Sequence, residues 1–118
     1  MILGIGIDLL EFEQLNIANE QLVKKILTHN EYQLFLQKKT EQQKKEFFGG
    51  RFSAKEAFVK AIGTGFRDIG FHDIEILNDA LGAPKLTTTF NFLQIPTYIH
   101  LSISHSTQAV TAMVVIEQ

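Results

Sequence analysis

"GGRFSAKEAFVKAIGTG", residues 49–65, reads as the closing turns of a helix that glycines bring to an end. Ala54, Ala57, Phe58 and Ala61 recur at helical spacing, and Gly63 and Gly65 then stop the run, as residues free to turn left-handed do. The same turns crowd Arg51, Lys55 and Lys60 around one carboxylate, Glu56. Followed back toward the N-terminus, the helix starts at a cap on Thr40, carries Phe47 and Phe48, and runs to about Ile62. Gly49 and Gly50 each weaken its middle by about 1 kcal/mol relative to alanine. That cost is tolerable where the backbone must come close to something.

Outward from this helix the pattern changes twice. Upstream, "ILGIGIDLL" predicts a strand with Asp8 near its exit. "EFEQLNIANEQLVKKILT" has a broken helical pattern (Phe12, Leu15, Leu22, Val23, Ile26, Leu27) that predicts two short helices. Thr28 with Glu31 fits a capping box opening a helix over "NEYQLFLQ". Downstream, "FHDIEILND" alternates, "ALGAPK" turns and "KLTTT" resumes as a strand. "YIHLSISHS" and "AVTAMVVIE" flank the short polar turn "STQ" and predict a hairpin. Helices first and paired strands later indicate an α+β fold, with helices packed on a small antiparallel sheet.

A chain of 118 residues suits a single domain over residues 1–118, long enough to bury a core, and burial of further surface in an oligomer would be natural. Apolar strand positions such as Val110, Met113 and Val115 would bury against neighbouring copies or against the helices. Without cysteine there are no disulfides and no thiolate metal sites. The apolar opening lacks a basic flank, is broken by glycines and reaches Asp8 early, so it reads as a strand and not a signal peptide. No apolar run approaches the roughly 20 residues of a membrane helix. A soluble, cytoplasmic protein is expected.

Net charge is −2, but residues 38–67 hold eight basic residues against three acidic ones, a local +5 that leaves −7 for the rest. One basic segment in an acidic chain points to a local anionic ligand more than to a nucleic-acid track. A solvated, salt-bridged helix face would account for the same charges. "GIGIDL" fails the dinucleotide fingerprint, because Leu9 stands where the third glycine belongs. No phosphate loop ending in Gly-Lys-Ser/Thr occurs. His29, His72, His100 and His105 are scattered. On one strand His100 and His105 would face opposite ways, which argues against zinc. Ser102, Ser104 and Ser106 beside His105 do not make a hydrolase triad by sequence proximity.

Asp8 and Glu56 remain, two carboxylates beside apolar stripes that need partners. One answer is a salt bridge, such as Glu56 with Lys60 at i, i+4. Another is Mg²⁺, whose open positions phosphate oxygens and water would fill. Lys60 would then face the same phosphates, and Arg51 and Lys55 would present a second pair of cations. Spacing permits both.

"GIGIDLLE", "FFGGRFSAKEAFVKAIGTG" and "LSISHS", in this order and spacing, resemble the holo-acyl-carrier-protein synthases, the small single-lobed phosphopantetheinyl transferases. The resemblance spans essentially the whole chain. It implies that the 4′-phosphopantetheine arm of coenzyme A is moved to a serine of apo-acyl carrier protein, releasing adenosine 3′,5′-bisphosphate in the service of fatty-acid synthesis. It also implies a homotrimer with active sites between protomers. Asp8 and Glu56 would ligate Mg²⁺, and Lys60 would contact the phosphate under attack. His105, with Lys44 and Arg51, would bind the adenosine phosphates, and by analogy with two-lobed relatives would act on a neighbouring protomer's site. Gly63, Thr64 and Gly65 would border the coenzyme cleft, with Lys55, Pro84 and Ser104 among the other coenzyme contacts. The serine proton would go to a metal-bound water, to Glu56 or to solvent.

Two departures from the pattern stand out. Leu10 replaces the third acidic ligand of the two-lobed relatives, so water would complete the metal shell. The first helix, basic in the family, reads Glu11, Glu13 and Gln14 here, with only Lys24 and Lys25 nearby. Carrier docking would then lean on apolar contacts from Leu15, Ile17 and Leu22. A non-catalytic module binding coenzyme A or carrier protein would keep the same fold. Asp8, Glu56 and Lys60, all present, argue against it.

Overall fold

The computed structural model describes residues 1–91 and 95–118. Strand β1 (Ile2–Glu11) leads through a single 3-10 turn (Phe12–Gln14) to α1 (Glu20–Ile26), α2 (His29–Leu36) and the long α3 (Glu41–Ile62). A second 3-10 turn (Phe71–Asp73) precedes β2 (Ile74–Asn78), β3 (Pro84–Thr88), β4 (Tyr98–His105) and β5 (Ala109–Glu117). The fold is α+β. Among the described residues the strands form two antiparallel sheets: β1-β5-β4, and the separate hairpin β2-β3. Of the two short helices expected after β1, the first is only the 3-10 turn, since Leu15 returns to extended backbone.

Local chemistry accounts for the element ends. Thr28 and Glu31 make the expected capping box, and Thr40 makes another with Gln43. Gly63 closes α3 at φ +80°, with its N–H donating to Val59 O at 3.0 Å. Asp79 Oδ1 accepts from the Leu81 and Ala83 amides at 2.9 and 3.0 Å, turning β2 into β3. Ser106 Oγ ties the β4–β5 turn in the same way.

α3 lies flat on the sheet and directly on β1. A Cβ at Gly4 would overlap the Ala61 carbonyl oxygen, and one at Gly6 that of Ala57. The glycines of "GIGID" therefore serve helix–strand approach. They also bring Asp8, next on the same face of the strand, up to the helix. Val110, Ala112, Val114 and Ile116 supply the inner face of β5 and pack with Ala54, Ala57, Phe58, Ile74 and Ile76. Val110 is thus an inner residue, whereas Met113 and Val115 have the opposite parity and face outward. A second cluster joins α1, α2 and the start of α3 through Val23, Ile26, Phe35 and Phe48.

On the outer face of β1-β5-β4 the side formed by β1 and the middle of β5 is apolar and bare. Ile5, Ile7 and Leu9 are 63%, 61% and 70% exposed, and Met113, paired with Ile7, is 45% exposed. No helix among the described residues is long and apolar enough to cross a membrane.

Candidate active site

Residues Ser53, Glu56 and Lys60 recur every third or fourth position on α3 and so share the face that meets β1. Asp8 comes to meet them. Lys60 Nζ donates to Asp8 Oδ1 at 3.1 Å and to Ile7 O at 3.0 Å. Ser53 Oγ donates to Asp8 Oδ2 at 3.0 Å, and Thr111 Oγ1 on β5 holds the Asp8 backbone carbonyl at 2.8 Å. The expected i, i+4 pair of Glu56 with Lys60 does not form, because the lysine reaches across to the strand instead. Glu56 makes no hydrogen bond or ion pair among the described residues. Partial burial, and then the Asp8 carboxylate, push its pKa above the usual glutamate value, with Lys60 opposing.

This is the donor set a hard cation takes: two carboxylates that raise each other's energy, one without a partner, at a half-open edge. Among the described residues no third His, Asp or Glu joins them, so other oxygens would fill the remaining positions.

The two cations placed on the same face by spacing are not there. Lys55 is 0% exposed, its Nζ bonded to Glu31 Oε1 (2.6 Å), Ile26 O (2.7 Å) and Phe71 O (3.1 Å). Burial lowers its pKa and the Glu31 carboxylate resists that. Arg51 is 7% exposed, stacked 4.1 Å over the Phe47 ring, and donates to Ile76 O and Asn78 Oδ1 at 3.3 and 3.1 Å. Both point away from Glu56, toward α1, α2 and β2. Lys55 is a structural cation and not an exposed phosphate contact; the reason is that position 55 falls on the buried stripe with Ala54 and Phe58.

Arg51 does border a cleft of about 640 Å³ at the β4 edge, together with Pro84, His105, Lys38, Lys39 and Glu46. His105 Nδ1 lies 3.5 Å from Glu46 Oε2, which also accepts from Gln42 Nε2 at 3.1 Å. His100, as parity required, points the other way and pairs with Glu117 on the outer face at 3.0 Å. Lys44 is turned onto the Phe35 ring, 5.5 Å from its centre. Ser104 is exposed on the outer face of β4. Gly63 and Gly65 are exposed with positive φ, and Thr64 lines a different, more apolar cleft beside Leu3 and Phe90. Six of the expected residues thus fall into two groups at opposite edges of the sheet, Asp8, Glu56 and Lys60 at β1 and Arg51, Pro84 and His105 at β4, while Lys44, Lys55, Ser104, Gly63, Thr64 and Gly65 join neither. Ser53, Thr111, Glu46, Lys38 and Lys39 were not picked out in advance. Ser53 alone had a usable signal, one turn before Glu56 on the same helical face.

The profile of the 4′-phosphopantetheinyl transferase superfamily matches residues 4–114, spanning both groups. The chain belongs to this superfamily. A holo-[acyl-carrier-protein] synthase of Geobacillus sp. (strain WCH70) is 45% identical over 122 residues, covering 100% of this chain and 98% of that one. Among solved structures, a holo-(acyl-carrier-protein) synthase from Bacillus anthracis in complex with CoA (3′,5′-ADP) aligns with TM-score 0.87 and 42% identity, over 99% of this chain and 97% of that one. The synthase from Neisseria meningitidis aligns with TM-score 0.85 and 35% identity, over 100% of both chains. The transferase is therefore an enzyme of the kind that the Lys-Glu-Ala helix and Ser-His strand implied. Its α+β architecture is that of these synthases.

Proposed function

We propose that this transferase moves the 4′-phosphopantetheine arm of coenzyme A onto a serine of apo-acyl carrier protein, as a Mg²⁺-dependent, cytoplasmic homotrimer serving fatty-acid synthesis. The observation that carries the reading is the unpartnered Glu56 carboxylate beside Asp8, with Lys60 a helical turn away. The Bacillus anthracis relative, solved in complex with CoA (3′,5′-ADP), supports the choice of donor.

In the reaction the serine Oγ attacks the phosphorus that bears the pantetheine arm. The bond from that phosphorus to the bridging oxygen breaks, and its electron pair leaves on adenosine 3′,5′-bisphosphate. Charge grows on the leaving and non-bridging oxygens, so positioning and electrostatics do most of the work. Asp8 and Glu56 would hold Mg²⁺, which supplies positive charge to the pyrophosphate. Ser53 and Thr111 fix Asp8 through its side chain and its carbonyl. Lys60, on a flexible stem at the helix end, presents a compact cation to the phosphate under attack. The serine proton would pass to a metal-bound water, to Glu56 or to solvent.

Two features favour an oligomer with shared sites. The carboxylate pair and the Arg51–His105 cleft lie at opposite edges of one sheet, with β5 between them. Two strand spacings separate those edges by roughly 10 Å. A neighbouring copy that brings its β4 edge to this β1 edge would join a phosphate cleft to a metal site, with His105 acting in trans. The bare face of Ile5, Ile7, Leu9 and Met113 is the surface such packing would cover.

Carrier docking has fewer contacts to draw on. Leu15, Ile17 and Leu22 pack into the helical core cluster, so they serve the fold before any partner. Lys24 is held by Glu20 at 2.9 Å and lies over the Tyr32 ring, whereas Lys25 makes no ion pair among the described residues. Lys25 is the cation left for an acidic carrier.

The test is mass spectrometry of apo-acyl carrier protein incubated with the transferase, coenzyme A and Mg²⁺, with an EDTA control. A gain of one phosphopantetheine arm that EDTA abolishes is expected. No gain on several carriers, with folded protein, would favour a module that binds coenzyme A without turning it over.

A further inference from the structure

Lys60 has two possible carboxylate partners and takes only one. Helical spacing offers it Glu56, yet its ammonium crosses to Asp8 Oδ1 at 3.1 Å and adds the Ile7 carbonyl at 3.0 Å. Ser53 occupies the other Asp8 oxygen at 3.0 Å. Both oxygens of Asp8 are therefore engaged, Oδ1 by a cation. The Lys60 side chain is half-exposed, while that of Asp8 is mostly buried.

We propose that Lys60 is the counter-ion of Asp8, standing where a divalent cation would bind, and that it moves to the coenzyme's phosphates as that cation binds. The inference rests on the metal reading above. It follows from the geometry, because an ammonium at 3.1 Å from Oδ1 takes one of that oxygen's acceptor sites and repels a second cation there. The exchange is easy in either direction, since a partly exposed ion pair of this kind shifts an equilibrium by no more than about fivefold. Lys60 thereby links the two ligands. Without phosphates its ammonium competes with the metal for Asp8, and with phosphates bound it has a new partner and stops competing. Such coupling is reciprocal, so the metal also frees the ammonium that the coenzyme needs.

Two measurements test this, neither of them of turnover. The first is binding of Mn²⁺ alone, read as loss of the free-ion electron paramagnetic resonance signal. Lys60→Met is expected to bind Mn²⁺ roughly five- to tenfold more tightly than the wild type, from loss of both the competing pair and the like charge. The second is the rate at which an amine-acylating reagent labels Lys60, read by peptide mass spectrometry. Saturating Mg²⁺ without coenzyme A should raise that rate in the wild type, and Asp8→Asn should raise it without metal. Unchanged or weaker Mn²⁺ binding in Lys60→Met, or labelling indifferent to Mg²⁺, overturns the proposal while leaving the metal reading intact. If Asp8→Asn and Glu56→Gln bind Mn²⁺ as tightly as the wild type, the carboxylates are not the metal site and both readings fall.

Discussion

Replacing Lys55 by methionine separates two roles that its position in the Lys-Glu-Ala motif leaves open. In the structure both partners of the Lys55–Glu31 pair are 0% exposed and stand 2.6 Å apart. Removing one member of such a pair costs about 3–5 kcal/mol, because the other is left charged and buried. Glu31 would keep two donors, the Thr28 and Ile76 amides, both at 2.8 Å, while the Ile26 and Phe71 carbonyls would lose theirs. The retained donors place the expected loss at about 3–4 kcal/mol, in the lower half of that range. At about 4 °C per kcal/mol for a domain of this length, Tm should fall by roughly 12–16 °C. The assay is urea and thermal unfolding by circular dichroism at one protein concentration, since any oligomer adds to apparent stability. Adding Glu31→Gln should recover about 1–2 kcal/mol by removing the stranded charge. Well below the midpoint, KM for coenzyme A should be unchanged. A stability loss under about 1 kcal/mol, accompanied by a KM raised tenfold or more, would show that the ammonium faces phosphates and would refute the buried pair.

Other substitutions probe the site and the bare face. Glu56→Gln should abolish activity yet raise Tm at pH 7 in the metal-free protein. The pKa of Glu56 is raised on folding. The folded state therefore takes up its proton more readily, and ionised Glu56 works against folding once the pH passes that value. The gain should vanish as pH falls below the ordinary glutamate range, and a Tm lowered at pH 7 would contradict this account. Gly6→Ala puts a Cβ into the Ala57 carbonyl, so about 3 kcal/mol of stability should go, along with kcat as Asp8 shifts relative to Glu56; wild-type kcat would show that the close approach does not set the site. Ile7→Lys should give a folded monomer by light scattering with little activity. An unchanged oligomer would mean that the face is covered by something other than a second copy.

Much of the fold was legible because it rests on local rules. The capping box of Thr28 and Glu31, the glycine stop at residue 63 and the "STQ" turn are short-range chemistry that residue types announce. Asp8 and Glu56 could be picked out because a carboxylate beside an apolar stripe needs a partner. What could not be read was the azimuth of α3. One turn of the helix carries Arg51 and Lys55 inward and Glu56 outward, and a charged residue in a helical motif does not say which way it points. The carboxyl of Glu31, 24 residues away from Lys55, decides it. The partner of Lys60 was equally hidden. Helical spacing offers Glu56, while the actual choice depends on the two glycines that let β1 approach.

The same helix therefore performs two tasks with the same residue types. Its inward cations stitch the α1–α2 unit and the β2 strand to α3, through carbonyls of Ile26, Phe71 and Ile76 as well as Glu31. Every buried polar side-chain atom among the described residues is satisfied, so this stitching leaves no buried donor or acceptor unpaired. Its outward pair, Glu56 and Lys60, is the opposite case. Glu56 is unpartnered among the described residues at a cost to stability, and Lys60 pairs with Asp8 through a half-exposed side chain. A rigid inward face is what permits a loosely satisfied outward one. With the rotation of α3 pinned by buried charge, Glu56 can stay near Asp8 without any bond of its own, where the proposed cation would bind.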